Sequence, residues 1–268
     1  MADTITSTQN PLVKKILQLK DKGRERKKTG LFVIEGLREL QLALKGGYAL
    51  EKVFCCQDLS GSSEIQELLL KKIMALGVSL SFLSRAVYEK VAYRGSTEGI
   101  IAIAQSKSHD LDTLTLSNCP LILVAEAPEK PGNIGALLRT ADAAGLDGVI
   151  IADPRGDLYN PNIIRSSVGC LFTTPVVLGS TSDIIDYLSN KNMTLFCASL
   201  EASKDYTSCN FTIPSAIAVG TESTGLSKKW RENANERIII PMRGEIDSMN
   251  VSVSAAILIF EALRQRGL

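Results

Sequence analysis

The sequence predicts an α/β protein in which a smaller α/β unit precedes a larger one built on a parallel sheet. Three observations carry that expectation. From Pro120 onward, short continuous apolar runs alternate with stretches of helical period, the pattern of strands covered by helices on both faces. The first third also mixes strand and helix patterns, but with less regular spacing. A polar stretch, Ser106 to Asp112, lies between the two, and 268 residues suffice for two buried cores. The expected division is 1–105, a linker at 106–118, and 119–268.

In the first unit, Leu12, Val13, Ile16, Leu17 and Leu19 recur at helical spacing, with lysines between them. Gly23 and Gly30 bracket what reads as a charged loop. Leu31–Ile34 reads as a strand, Leu37–Lys45 as a helix stopped by Gly46 and Gly47, Leu50–Cys56 as a strand and Ser63–Leu76 as a helix. Val78–Leu83 and Ile100–Ala104 complete the strands. In the second unit the expected strands are Leu121–Glu126, Gly148–Ala152, Phe172–Val177, Thr194–Ala198, Ala216–Gly220 and Arg237–Ile240. A long helix closes the chain from Val251 to Arg266.

Composition removes several function classes. Hydrophobic residues make up 45% and charged residues 22%, as in ordinary globular proteins. No apolar run approaches a membrane span and the first ten residues show no secretory h-region, so a cytoplasmic protein is expected. The cysteines, Cys55, Cys56, Cys119, Cys170, Cys197 and Cys209, show no C-x-x-C spacing and read as reduced core thiols. The one histidine, His109, sits in the polar stretch, which excludes a His-dependent triad or His-rich metal site; no metal is expected. The net charge is +1, yet Lys14, Lys15, Lys20, Lys22, Arg24, Arg26, Lys27 and Lys28 crowd one short segment against Asp21 and Glu25. That local excess suits a polyanion, although a solvated charged face explains it as well.

Three segments of the second unit run from a buried strand into a loop of Gly, Pro and small polar residues, then into a helix. Such loops hold ligands in open α/β sheets. The first spans Ala125 to Arg139; Asn133 falls at the expected N-cap, free to cap or to turn its amide to a substrate. Arg139 projects from an apolar helix, either to pair with Asp142 or another acid, or to bind phosphate. The second, Ala218 to Ser227, places Glu222 between Gly220 and Gly225, as a solvated turn residue or a site acid. It matches neither a P-loop, a nucleophile elbow nor the dinucleotide fingerprint. The third, Ile238 to Ala256, sets Ser248 and Asn250 before a helix of small residues, as caps or as pocket groups.

In order and spacing these segments resemble motifs one to three of the SpoU (TrmH) class of SPOUT RNA ribose methyltransferases. The carriers are Asn133-x-Gly135-x-x-x-Arg139, Gly220-x-Glu222-x-x-Gly225 and Ile240-Pro-Met-x-Gly244 with Ser248-Met-Asn-Val-Ser-Val253. Ile164-Arg-Ser-Ser-Val-Gly169 is similar to a further family stretch. Asn10 to Lys14 and Gly30 to Gly36 resemble the family's ribosomal-protein-like substrate-binding domain. Met249 departs from the commoner leucine, a mild swap.

The resemblance implies a SPOUT-like C-terminal knot, a homodimer, and S-adenosylmethionine bound by Ala198, Ser199, Leu200, Gly220, Ile240, Met242 and Met249. It implies catalytic roles for Arg139, Asn133, Glu222, Ser248 and Asn250 in 2′-O-methylation of a ribose. Beside that match, Lys14, Lys15, Arg24, Arg26, Lys27, Lys28 and Arg165 become candidates for RNA contact. Large-subunit ribosomal RNA is the expected substrate, with transfer RNA as the alternative and no DNA or membrane partner. A catalytically silent RNA-binding relative, a base methyltransferase and an NAD-type oxidoreductase are the rival readings.

Overall fold

Local sequence chemistry accounts for most of the elements seen in a computed structural model, which describes residues 4–59, 64–93, 98–202, 204–221, 223–245 and 248–267. In chain order they are β1 (Thr4–Ile5), α1 (Pro11–Asp21), α2 (Gly23–Thr29), β2 (Leu31–Glu35), α3 (Leu37–Lys45), β3 (Leu50–Cys55), α4 (Glu64–Ala75), β4 (Ser79–Leu83), α5 (Arg85–Val91) and β5 (Ile100–Gln105). There follow β6 (Leu121–Glu126), α6 (Pro131–Ala144), β7 (Gly148–Ala152), α7 (Pro161–Ser166), β8 (Val176–Gly179), α8 (Thr181–Asn190) and β9 (Thr194–Ala198). The chain ends with β10 (Lys204–Asp205), β11 (Ser215–Val219), α9 (Lys228–Asn233), β12 (Glu236–Ile239) and α10 (Val251–Gln265).

The elements form two units, Met1–Lys107 with Asp157–Thr173, and Ser108–Gly156 with Thr174–Leu268. The first holds a mixed sheet in the order β1-β4-β3-β5-β2, with β5 antiparallel to both its neighbours. Asn10 caps α1 by accepting from Leu12 N at 2.9 Å, and Pro11 opens the helix where its missing N–H costs nothing. Val13, Ile16 and Leu19 are its buried face. The segment Asp157–Thr173 builds part of this unit: Tyr159 stacks on Phe32 with centroids 4.2 Å apart, and Phe172 closes on Tyr48 at 5.0 Å.

The second unit holds a seven-stranded sheet in the order β10-β12-β9-β11-β6-β7-β8, parallel throughout. Parallel strands must be covered on both faces, and β6, β7 and β11 are buried at every position. Trp230 of α9 is fully buried, its indole N–H donating to Thr181 Oγ1 at 3.1 Å. From β6 the chain lays down β7 and β8 to one side, whereas β11 occupies the other side of β6. The sheet thus changes direction between β6 and β11.

Three expectations need correction. Residues 23–29 form a helix, because Arg, Lys and Glu are good helix formers, with Glu25 in its first turn and basic residues in its last. The strand expected at Phe172–Val177 is Val176–Gly179: Phe172 lies in a 3₁₀ turn, and Pro175, with no N–H to donate, precedes the ladder. Asn133 is not the N-cap of α6, since Pro131 takes the first helical position and Lys130 precedes it. Within 106–118, the expected linker, Leu114 is buried so tightly against Gly148 that a Cβ there would strike it, and His109 Nδ1 lies 2.7 Å from Val176 O. The helix α5 and the two-residue strands β1 and β10 escape sequence periodicity because they are too short to show it.

Candidate active site

In a parallel sheet, loops leaving the carboxyl ends of strands gather on one edge, and the point where strand order reverses leaves a crevice between them. Here that crevice is a cavity of about 250 Å³ beyond β6 and β11, walled by Pro128, Glu129 and Lys130 on one side and Gly220, Thr221 and Ser223 on the other. Asn133 and Leu137 of α6 and Val251 of α10 close it. Residues from all three sequence segments therefore meet at one place.

The loop after β11 is folded on itself. Thr221 N and Gly225 N each donate to the other residue's carbonyl, at 3.2 and 3.0 Å. Gly220 is a glycine of necessity, because a Cβ there would overlap the backbone of Gly225 and Leu226. Where the loop enters α9, Ser227 N donates to Glu126 Oε2 at 2.7 Å, and Glu126 is only 8% exposed. Glu126 ties the ends of β6 and the β11 loop together. The sequence reading missed it, although an acid ending a wholly apolar strand is the kind of signal that drew attention to Glu222. Burial pushes the neighbouring Cys197 thiol up to about 12, with the Glu126 charge adding to the rise. Cys55 is likewise pushed up to about 12, so neither thiol is a nucleophile near neutrality.

Asn250 caps α10, its Oδ1 accepting from Ser252 N at 2.9 Å and from Ser252 Oγ at 2.6 Å. Its amide nitrogen donates to Asn133 Oδ1 at 3.2 Å, across 117 positions of sequence. The cap leaves the amide nitrogen of Asn250 to Asn133, which lines the cavity. Arg139 is exposed and makes no ion pair or hydrogen bond among the described residues; the pairing with Asp142 is not formed. It lies about 200° around α6 from the cavity-lining Leu137, at ~100° per residue, so it does not wall the cavity. Ser248 is exposed, and Glu222 lies outside the described residues.

Among the cofactor candidates only Gly220 walls this cavity. Ala198 and Ser199, half-buried, and Leu200, 56% exposed, follow β9, while Ile240 and Met242, half-buried, follow β12. Met249, also half-buried, precedes Asn250. The ends of β9, β11 and β12 are neighbours, so these loops share the sheet edge on the far side of β11 from β6. Partly covered Ile and Met side chains beside strand-end backbone groups fit an adenosyl moiety, which needs apolar walls for its base and main-chain partners for its edge.

The basic candidates divide. Lys14, Arg24, Lys27 and Lys28 are exposed. Lys15 pairs with Glu51 at 2.7 Å. Arg165 is exposed, with its guanidinium 5.0 Å from the Tyr93 ring centre. Arg26 is a correction: it is 6% exposed, paired with Asp157, and donates to the carbonyls of Leu19 and Lys20 at 2.5 and 3.0 Å. Its Nε and Nη1 donors are directed inward, as those of a structural arginine are.

A parallel sheet with a crevice at its switch point and small-residue loops around it defines an α/β protein with a candidate ligand site at its strand ends. Residues 120–260 match the SpoU rRNA Methylase family, and residues 10–102 match the MRM3-like substrate binding domain. The 23S rRNA (guanosine(2553)-2′-O)-methyltransferase RlmP of Bacillus subtilis is 28% identical, spanning 96% of this chain and 97% of its own. The SpoU methyltransferase AviRb of Streptomyces viridochromogenes, solved with AdoMet, superposes with a TM-score of 0.87 at 26% identity, over 96% of this chain and 99% of its own. A solved RNA 2′-O ribose methyltransferase reaches 0.86 at 39% identity, over 99% and 100%. The chain belongs to the SpoU rRNA methylase family, and is an S-adenosylmethionine-dependent RNA 2′-O-methyltransferase. The oxidoreductase reading falls with that assignment.

Proposed function

We propose that this enzyme methylates a ribose 2′-hydroxyl in 23S ribosomal RNA, in the cytoplasm and as a homodimer. The observation that carries the site is the Asn133–Asn250 contact beside Gly220, which brings the three loop segments to one crevice. Ribosomal rather than transfer RNA is supported by the relatives that span both units, such as RlmP, which is named for 23S rRNA.

S-adenosylmethionine supplies a methyl group on a positively charged sulfur. The protein's share is to hold the ribose oxygen in line with it, which converts an encounter into a positioned reaction. Asn133, fixed by Asn250, orients the nucleotide, and Ser248 and Asn250 shape the transfer pocket. Glu222 helps to orient Arg139. Arg139 holds the adjacent phosphate and stabilises negative charge growing on the ribose oxygen. A guanidinium offers no acceptor for the hydroxyl proton, which leaves to water. Ala198, Ser199, Leu200, Gly220, Ile240, Met242 and Met249 hold the cofactor, and Lys14, Arg24, Lys27 and Lys28 hold phosphates.

The dimer is supported by α10, which exposes Val253 and Phe260 at 48% and 50%, two turns apart on one face. Arg139 shares the open face of α6 with Gly132 and Ala143, where a second copy can approach closely. Mapping 2′-O-methyl positions in RNA from cells with and without the gene tests the function. One 23S position losing its methyl group is the expected result; a loss confined to transfer RNA overturns the substrate.

A further inference from the structure

We propose that the first unit carries a pocket for one unstacked base of the substrate RNA, a guanine entering by its N1–H and 2-amino edge. The inference rests on the RNA substrate proposed above, but its residues lie outside the catalytic loops. A cavity of about 240 Å³ opens between the β2–α3 junction, Tyr93 and α7. Val33 and Ile164 contribute apolar wall, and Glu35, Glu39 and Glu98 bring carboxylates to it. Tyr93, 43% exposed, lines it with the Arg165 guanidinium above its ring.

The carboxylates are set by the main chain. Glu35 Oε2 accepts from Tyr93 N at 2.7 Å, and Glu98 Oε2 accepts from Leu37 N at 2.6 Å. Glu39 accepts from its own backbone N–H, and burial, then the charges of Glu98 and Glu35, push its pKa up. The second oxygen of Glu35 is shielded from solvent and has no hydrogen-bond partner among the described residues. A buried acceptor left empty is costly, and three carboxylates facing one cavity repel each other, so an occupant that brings N–H donors relieves both penalties.

Phosphate is excluded from such a wall by its charge. The cavity's two cations do not reverse this, because Lys20 and Arg165 are outnumbered by Glu35, Glu39 and Glu98, and Lys20 Nζ is turned to Val91 O at 3.0 Å. The part of an RNA that fits is a base. Guanine places a ring N–H and an amino group side by side, matching acceptor-only carboxylates, whereas uracil flanks its N–H with carbonyls and adenine has no ring donor on that edge. Tyr93 and Arg165 provide the planar surfaces on which unstacked bases lie. The division of labour is then clear: exposed lysines of α1 and α2 hold the backbone, and this cavity reads one base.

The test uses the full chain and uridine heptamers whose central residue is guanosine, inosine, adenosine or cytidine, with affinity read by fluorescence anisotropy. Central guanosine should bind about 10-fold tighter than adenosine, the discrimination of one two-point base contact, with inosine between them. Tyr93→Ala and Glu35→Gln should each erase that preference and leave the all-uridine heptamer unchanged. Equal affinities for all four heptamers, or a preference untouched by both variants, overturns the pocket. So does a guanosine preference that spermidine or Mg²⁺ abolishes competitively at constant ionic strength, which would assign the carboxylates to a cation. Ribosomal RNA methylation measured alongside separates the two readings: turnover without base preference removes the pocket and leaves the proposed function standing.

Discussion

The two units treat arginine in opposite ways. In the first, Arg26 spends its Nε and Nη1 donors on Asp157 and two backbone carbonyls and is 6% exposed. In the second, Arg139 stands on an exposed helix face with no partner among the described residues. The sequence contexts suggest the reverse, since Arg26 sits in a basic run and Arg139 in an apolar helix. The difference teaches that a charged residue's surroundings in sequence say little about its work. What separates a structural arginine from a chemical one is whether the fold has already consumed its hydrogen bonds.

The largest effect expected from this comparison is on folding. Arg26→Ala leaves Asp157, 13% exposed, without its counter-ion, and should cost about 3–5 kcal/mol in urea denaturation. A loss below about 1 kcal/mol would show that the pair is not what holds the segment. Arg139→Ala should do the converse, lowering single-turnover methyl transfer by roughly 10²–10³-fold while the denaturation midpoint stays put. Near-full turnover by Arg139→Lys would remove any two-point grip by this residue. The smallest effect concerns the exposed lysines: the Lys27→Ala, Lys28→Ala double variant should weaken every RNA by a similar factor. It should also lower the salt slope of binding by about one for each phosphate no longer neutralised, with stability unchanged.

The segments that meet at the crevice were legible because strand-end loops of glycine, proline and small polar residues are unusual in buried regions, and three of them occur in one order. Arg26 was misread because a basic run looks the same whether its members are solvated or turned inward. Glu126 was overlooked because its partner, Ser227 N, is 101 positions away. The strand at Val176 was misplaced because one proline outweighs the hydrophobic pattern around it.

By itself the sequence determined the α/β class, most strand and helix positions and the three loops that line the crevice, because periodicity, caps and turn residues act over a few neighbours. Tertiary structure alone decided which polar groups are spent and which are available. Asn133 meeting Asn250, Arg26 captured by Asp157 and Glu35 left with an empty oxygen all depend on contacts between distant segments. Hydrogen-bond demand is local to each atom, but its satisfaction is settled only when the chain has folded.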